Sequence, residues 1–312
     1  MSEDPLRLTL AEELRRELPP AVTALAAQLA NRANGAASAV LFYGSNLRDA
    51  RLDGVLDFYV LLDRVGAWPG PRLAALANRL LPPNVGYIEA TLDGRALRAK
   101  YALISATQFR CGVSRTALDT TLWARFSQPC VCAWARSAAD REAVTDAVRL
   151  AVITAAGWAA DLGPARGDAL DYWRALFART YAAELRVEKG ARGDDLVARD
   201  ADRYARLLPL AWQASGIDFE SSAHGELATR MSPSSRAAAT RRWAVRQRLG
   251  KPLNIARLLK AAFTFDGAMD YAMWKVERHS GVRPEVSPWQ RRHPLLAAPG
   301  LYRRLRKLKI LR

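Results

Sequence analysis

The feature that most constrains this chain is a change in hydrophobic period near Ser114. Before it, short apolar runs alternate with turn residues, which predicts strands and short helices. After it, long stretches rich in Ala, Leu and Arg favour helices through both propensity and spacing. The chain has 312 residues, half of them apolar, enough to bury one large core or two medium ones. The expected architecture is α+β: an α/β domain with a mixed, mostly antiparallel sheet over residues 1–110, a helical domain over 111–235, and a basic C-terminal region over 236–312.

Within the first part, Val22, Leu25, Ala26 and Leu29 carry a helical spacing over 21–33, ended by Asn34-Gly35. Apolar runs at 39–43 and 56–62, separated by Gly44-Ser45 and Asp53-Gly54, predict two adjacent strands. A helix at 72–81 is followed by strands at 86–91 and 96–104, joined at Asp93-Gly94. Further helices are expected at 115–125, 138–155 and 169–187, with loops at Gly163-Pro164 and at 190–193. Residues 221–235 show no sustained pattern, and the last helical block runs over 255–278 with Gly267 inside it.

Cys111, Cys130 and Cys132 lack a repeated CxxC spacing, which argues against a disulfide framework or a structural zinc site and for a reducing compartment. His279 has no partner in a catalytic motif, and neither a Walker A motif nor a Rossmann fingerprint is present. The N-terminus has no apolar core of a secretory signal, and no uncharged run reaches the roughly 18 residues of a spanning helix. The expectation is a chain that does not cross a bilayer.

Charge is segregated. Residues 236–312 hold 19 Lys and Arg against four acidic residues, whereas the first 235 hold 28 against 27. Such asymmetry predicts a face for polyanions, either anionic lipid or nucleic acid. Arg236, Arg241, Arg242, Arg246, Arg248 and Lys251 around Trp243 could hold nucleotide phosphates or a lipid headgroup, or form a solvated helix face.

Leu41-Phe42-Tyr43-Gly44-Ser45, followed by a strand beginning Leu56-Asp57-Phe58, places a glycine-serine turn beside a carboxylate. Nucleotidyl transfer needs both parts: a turn whose backbone and hydroxyl can meet phosphates, and a carboxylate for Mg²⁺. Gly44 and Ser45 fit the first part and Asp57 the second. A polymerase-like site has a second carboxylate two residues on, where this chain has Tyr59. Asp63 lies about 20 Å further along a strand, too far to share one metal. Glu89 is the remaining candidate for a second metal carboxylate, with a solvated strand face as its alternative.

Tyr43-Gly44-Ser45, Leu56-Asp57-Phe58, Asn84-Val85-Gly86-Tyr87, Asp93-Gly94-Arg95 and Lys100-Tyr101-Ala102-Leu103-Ile104-Ser105 together resemble the Tam41-like, mitochondrial-type phosphatidate cytidylyltransferases over residues 38–106. A weaker similarity runs through the helical middle and residues 260–281. The resemblance implies a peripheral enzyme that condenses CTP with phosphatidic acid, using Mg²⁺, to give CDP-diacylglycerol and pyrophosphate. It implies Asp57, Ser45 and Lys100 as catalytic residues, Gly44, Ser45, Lys100 and Tyr101 at the nucleotide, and a cytoplasmic location at the inner face of a membrane. The scarcity of histidines, only His224, His279 and His293, and Trp123-Ala124-Arg125 depart from the family pattern, so another acceptor stays open. Transfer to RNA and a catalytically silent, membrane- or partner-binding relative are the alternatives.

At the C-terminus, Leu301, Leu305 and Leu308 fall on one stripe with Arg303, Arg304 and Lys307 around it. This is the pattern of a helix lying in a membrane interface or docked on the protein's own core.

Overall fold

The computed structural model describes residues 4–49, 52, 54–92, 94–183, 192–281, 284–293, 296, 297, 299–301 and 303. In chain order, α1 (Pro5–Leu14) and α2 (Pro20–Asn31) precede β1 (Ala37–Tyr43), α3 (Ser45–Asp49) and β2 (Val55–Leu62). Next come α4 (Arg72–Leu80), β3 (Asn84–Leu92), β4 (Arg95–Ser105), α5 (Ala106–Gly112), α6 (Thr121–Phe126) and β5 (Cys130–Ala135). They are followed by α7 (Ala138–Leu162), β6 (Arg166–Gly167), α8 (Ala169–Ala183), α9 (Arg192–Arg199) and α10 (Ala201–Ala214). The last described elements are β7 (Phe219–Ser221), β8 (Leu227–Thr229), α11 (Pro233–Thr264), α12 (Ala268–Ser280) and α13 (Pro288–Arg292).

The architecture is α+β, a mixed and largely antiparallel sheet followed by an extensive helical region. The compact units are not the three consecutive segments expected from composition. One unit comprises residues 1–17 and 106–256, the other residues 18–105 and 257–312. The physical reason is side-chain burial at both ends: Leu6, Leu10 and Leu14 of α1 go into the helical unit, while α12 packs on β3 of the sheet unit.

In the sheet unit the strands lie in the order β3-β4-β2-β1. β1 and β2 are antiparallel, β3 and β4 form an antiparallel hairpin, and β2 and β4 run parallel. A parallel pair needs a long crossover, and α4 with β3 supplies it. α2 buries Val22, Leu25, Leu29 and Ala30 against β1, β2 and β3. Burying each leucine contributes about 1.5–3 kcal/mol. Asn78, fully buried on α4, donates from Nδ2 to the Leu103 carbonyl at 2.8 Å and fixes α4 to β4.

The helical block expected over 255–278 is divided. α11 ends at Thr264, and Gly267 sits at φ +74° before α12 begins. A Cβ there would run into the Tyr87 carbonyl, so glycine allows the chain to turn close against β3. Asp266 adds to the edge of that strand, Tyr87 N donating to Asp266 O at 2.8 Å.

In the helical unit α7 is central, contacting α1, α6, α8 and α10. Ser137 caps it by accepting from Asp140 N at 3.0 Å, and Arg7 pairs with Asp146 at 2.9 Å and with Glu142. Among the described residues α7 is the one helix long and apolar enough to cross a membrane, which the sequence reading did not anticipate. In its most apolar 18-residue stretch, 72% of the residues are buried inside the protein. Asp161 near its end is buried and paired with Arg115; burial raises its pKa against the lowering effect of that arginine.

Residues 221–235, left without a pattern by the sequence, hold β8 and the start of α11. β8 pairs with β6 and β7 in a small antiparallel sheet. The expected helix over 115–125 is shorter, with α6 starting only at Thr121. Asp53, Asp93, residues 190–191 and the end of the helix expected to reach 187 lie outside the described residues. The three cysteines are unpaired; Cys130 and Cys132 are buried, and burial pushes the Cys130 thiol up to about 12. Cys111 is exposed.

Candidate nucleotide-binding site

Four side chains form one row across the sheet. Tyr43 on β1 is in register with Asp57 on β2, Asp57 with Lys100 on β4, and Lys100 with Tyr87 on β3. Neighbouring strands lie about 4.8 Å apart and residues in register share a face, so Asp57 and Lys100 stand side by side with opposite charge.

Gly44 immediately follows β1 with φ +95°, a left-handed conformation that side chains disfavour. A Cβ on it would lie 3.0 Å from Asp57 Oδ2. The turn therefore brings bare backbone against the carboxylate. Ser45 opens α3 with an exposed side chain, and Asn46 Nδ2 donates to the Val55 carbonyl at 2.6 Å, tying the turn to the start of β2.

A cavity of about 750 Å³ lies over Asp57 and Lys100 of this row, entirely within the sheet unit. Its floor includes Ser45, Asn46, Asp57, Arg98 and Lys100, and α12 supplies Tyr271, Trp274, Lys275, Glu277 and Arg278. Four cations against two carboxylates give the lining a net positive charge, suited to an anionic ligand. Two of the cations are oriented by aromatic neighbours on α12: Lys275 Nζ lies 5.0 Å from the Tyr271 ring centre, and the Arg278 guanidinium 5.5 Å from that of Trp274.

Gly44, Ser45, Asp57 and Lys100 are thus brought together, and Tyr101 and Glu89 are not. Tyr101 is fully buried on the other face of β4, because consecutive strand residues point to opposite faces. Its hydroxyl donates to Asp266 Oδ2 at 2.6 Å, and Arg32 donates to the same carboxylate at 2.9 Å. Burial, and then the Asp266 charge, push the phenol far above its ordinary pKa. The nucleotide-contact role implied by the resemblance is corrected to a structural one.

Glu89 stays on the sheet face of Asp57, but β4 intervenes. The two backbones are separated by two strand spacings, about 10 Å, whereas paired metals sit about 3.5–4 Å apart. Glu89 accepts from the Tyr87 hydroxyl at 2.8 Å and lies 3.9 Å from Arg98. Tyr59, at the position of a second β2 carboxylate, is buried with its ring 5.5 Å from Tyr43. Asp63 falls beyond the end of β2, away from Asp57.

Among the described residues no three His, Cys, Asp or Glu side chains gather as a metal cluster. Asp57 alone suits Mg²⁺ only in the manner common for nucleotide sites, in which one or two carboxylates share the ion with substrate phosphates and waters. Glu277 is the other carboxylate lining the cavity. It was missed in the sequence because the run Trp274-Lys275-Val276-Glu277-Arg278 carries no motif and lies far along the chain from Asp57.

The basic cluster after Arg236 belongs to the helical unit and does not line this cavity. Arg246 is buried and donates to the carbonyls of Ala117, Arg242 and Arg115, at 3.1, 3.1 and 2.9 Å. Trp243 packs against Trp158 with ring centres 5.3 Å apart. At the C-terminus, Leu301 is buried with Met269, Met273 and Ala297, which corrects its expected membrane role to core docking. Arg303 is exposed, and Arg304, Leu305, Lys307 and Leu308 lie outside the described residues.

Compared with known proteins, the chain matches no protein-family model and no curated sequence.

Proposed function

We propose that this chain is a Mg²⁺-dependent nucleotidyltransferase that moves a cytidylyl group from CTP to phosphatidic acid, releasing pyrophosphate. The observation that carries the proposal is the Asp57–Lys100 pair beneath the Gly44-Ser45 turn, inside a cavity of net positive charge. CTP and phosphatidate come from the sequence resemblance; the cavity itself supports an anionic substrate of this general kind.

In this reading the turn backbone and the Ser45 hydroxyl receive the triphosphate, with Lys100 and Arg98 as neighbouring charges. Lys275 and Arg278 neutralise the phosphate of the acceptor. Mg²⁺, when bound at Asp57, supplies charge screening on the phosphates. A phosphatidate oxygen attacks the α-phosphorus, the bond to the bridging oxygen breaks, and pyrophosphate leaves with that electron pair. The acceptor oxygen is already ionised at neutral pH, so this site needs no general base. The enzyme works peripherally, at the cytoplasmic face of a membrane.

Tyr59 in place of a second carboxylate favours one other reading, a catalytically silent, membrane- or partner-binding relative that has kept the nucleotide site. Incubation with CTP, Mg²⁺ and phosphatidate vesicles, alongside calorimetric titration of CTP, separates the two. CDP-diacylglycerol formation is expected. CTP binding without product supports the silent relative, and absence of both overturns the site. Product formed on RNA ends instead of lipid would support the nucleic-acid acceptor.

A further inference from the structure

α4 is turned inside out relative to an ordinary surface helix. Its buried residue is polar Asn78, while Leu73, Leu76 and Leu80 are 77%, 52% and 79% exposed. Their spacing of three and four places them along one side of the helix. A second apolar set adjoins it. On α11, Lys260 Nζ donates to the carbonyls of Leu81 and Pro83 at 2.6 and 2.5 Å, and Arg257 Nε donates to that of Pro82 at 3.0 Å. These bonds seat this part of α11 at the end of α4, next to Leu80. There Leu258, Leu259 and Phe263 are 66%, 63% and 79% exposed. Single exposed leucines are ordinary, but six large apolar side chains on two adjoining helices mark an interaction surface.

The charge around these side chains selects the occupant. No Asp or Glu occurs in residues 64–88 or 227–265, while Arg72 and Arg79 flank the α4 leucines and are exposed. Protruding Leu and Phe flanked by Arg72 and Arg79, on two stretches of chain that carry no carboxylate of their own, complement a surface that is apolar beneath and anionic above. We infer that this α4–α11 face docks on an anionic phospholipid bilayer, with Leu73, Leu76, Leu80, Leu258, Leu259 and Phe263 entering the interface. The docking site differs from the C-terminal stripe read in the sequence, whose Leu301 is buried, and it rests on no assumption about catalysis.

The test uses the full chain and vesicles of phosphatidylcholine with and without phosphatidylglycerol, read by co-sedimentation. The unmodified protein is expected to bind the anionic vesicles in a salt-sensitive manner and not the neutral ones. Leu76→Glu combined with Phe263→Glu, both at exposed positions, is expected to keep the melting temperature and weaken binding at least about tenfold. A chain ending at Arg303 is expected to retain binding. No binding by the unmodified protein, or equal binding by the double variant, overturns the inference. So does a dimer that the double variant dissociates without any change in vesicle binding, which would identify a second copy as the occupant. Turnover of a water-soluble short-chain phosphatidate should survive the double substitution. Its absence in every form would sink the catalytic proposal while leaving the vesicle result intact.

Discussion

Asp57 Oδ2 lies 3.0 Å from the point where a Cβ on Gly44 would stand, so the carboxylate and the turn occupy space that a larger residue would claim. Gly44→Ala should therefore act twice. The left-handed backbone, φ +95°, makes a side chain cost about 1–2 kcal/mol of stability, and the new methyl group crowds the carboxylate. Urea unfolding should show the first effect. Nucleotide titration should show the second, as a loss of CTP affinity larger than the stability loss alone would produce.

Lys100 and Tyr101 are neighbours in sequence with opposite expected phenotypes. Lys100→Ala should weaken CTP binding and leave the fold intact, since the side chain lines the cavity. Tyr101→Phe removes the hydrogen bond to Asp266 and should cost about 1–2 kcal/mol of stability while leaving CTP affinity unchanged. Calorimetry and thermal unfolding on both variants check this. The reverse pattern would return Tyr101 to the nucleotide.

That pair also shows how far the sequence could be read. Strand positions were legible because Ala39 to Tyr43 and Leu56 to Leu62 are apolar runs ended by turn residues, and β1 and β2 lie close to those limits. The Gly44–Asp57 approach followed from adjacent strands. The resemblance grouped Tyr101 with Lys100 at the nucleotide, whereas alternation along β4 turns the two side chains to opposite faces, and the burial of Tyr101 shows which face is core. Local periodicity could not reveal that α12, more than 150 residues further along the chain, closes the cavity. Gly267 was visible but read as part of a continuous helix; its φ of +74° depends on the tertiary approach to Tyr87.

Lys260 gives a pH prediction independent of catalysis. Burial, and then Arg257, lower its pKa from 10.5 to about 8 in the folded protein. Between those values the unfolded chain binds more protons, so this residue makes stability rise as pH increases through the window from about 8 to 10.5. Below pH 8 its contribution is at its least favourable. Lys260→Met should have a flatter dependence of unfolding free energy on pH over that interval, measured by urea titration against the unmodified protein. A parallel pair of curves would show that Lys260 titrates normally.

The most direct test of the central claim is the rate of pyrophosphate release with CTP, Mg²⁺ and phosphatidate, compared between the unmodified chain and Asp57→Asn. Losing a metal carboxylate worth several kcal/mol to the transition state should lower the rate about a hundredfold or more, with an unchanged melting temperature. A rate for Asp57→Asn within about twofold of the unmodified protein, well below one tenfold step of 1.36 kcal/mol, would contradict the assignment of this row as the nucleotidyl-transfer site.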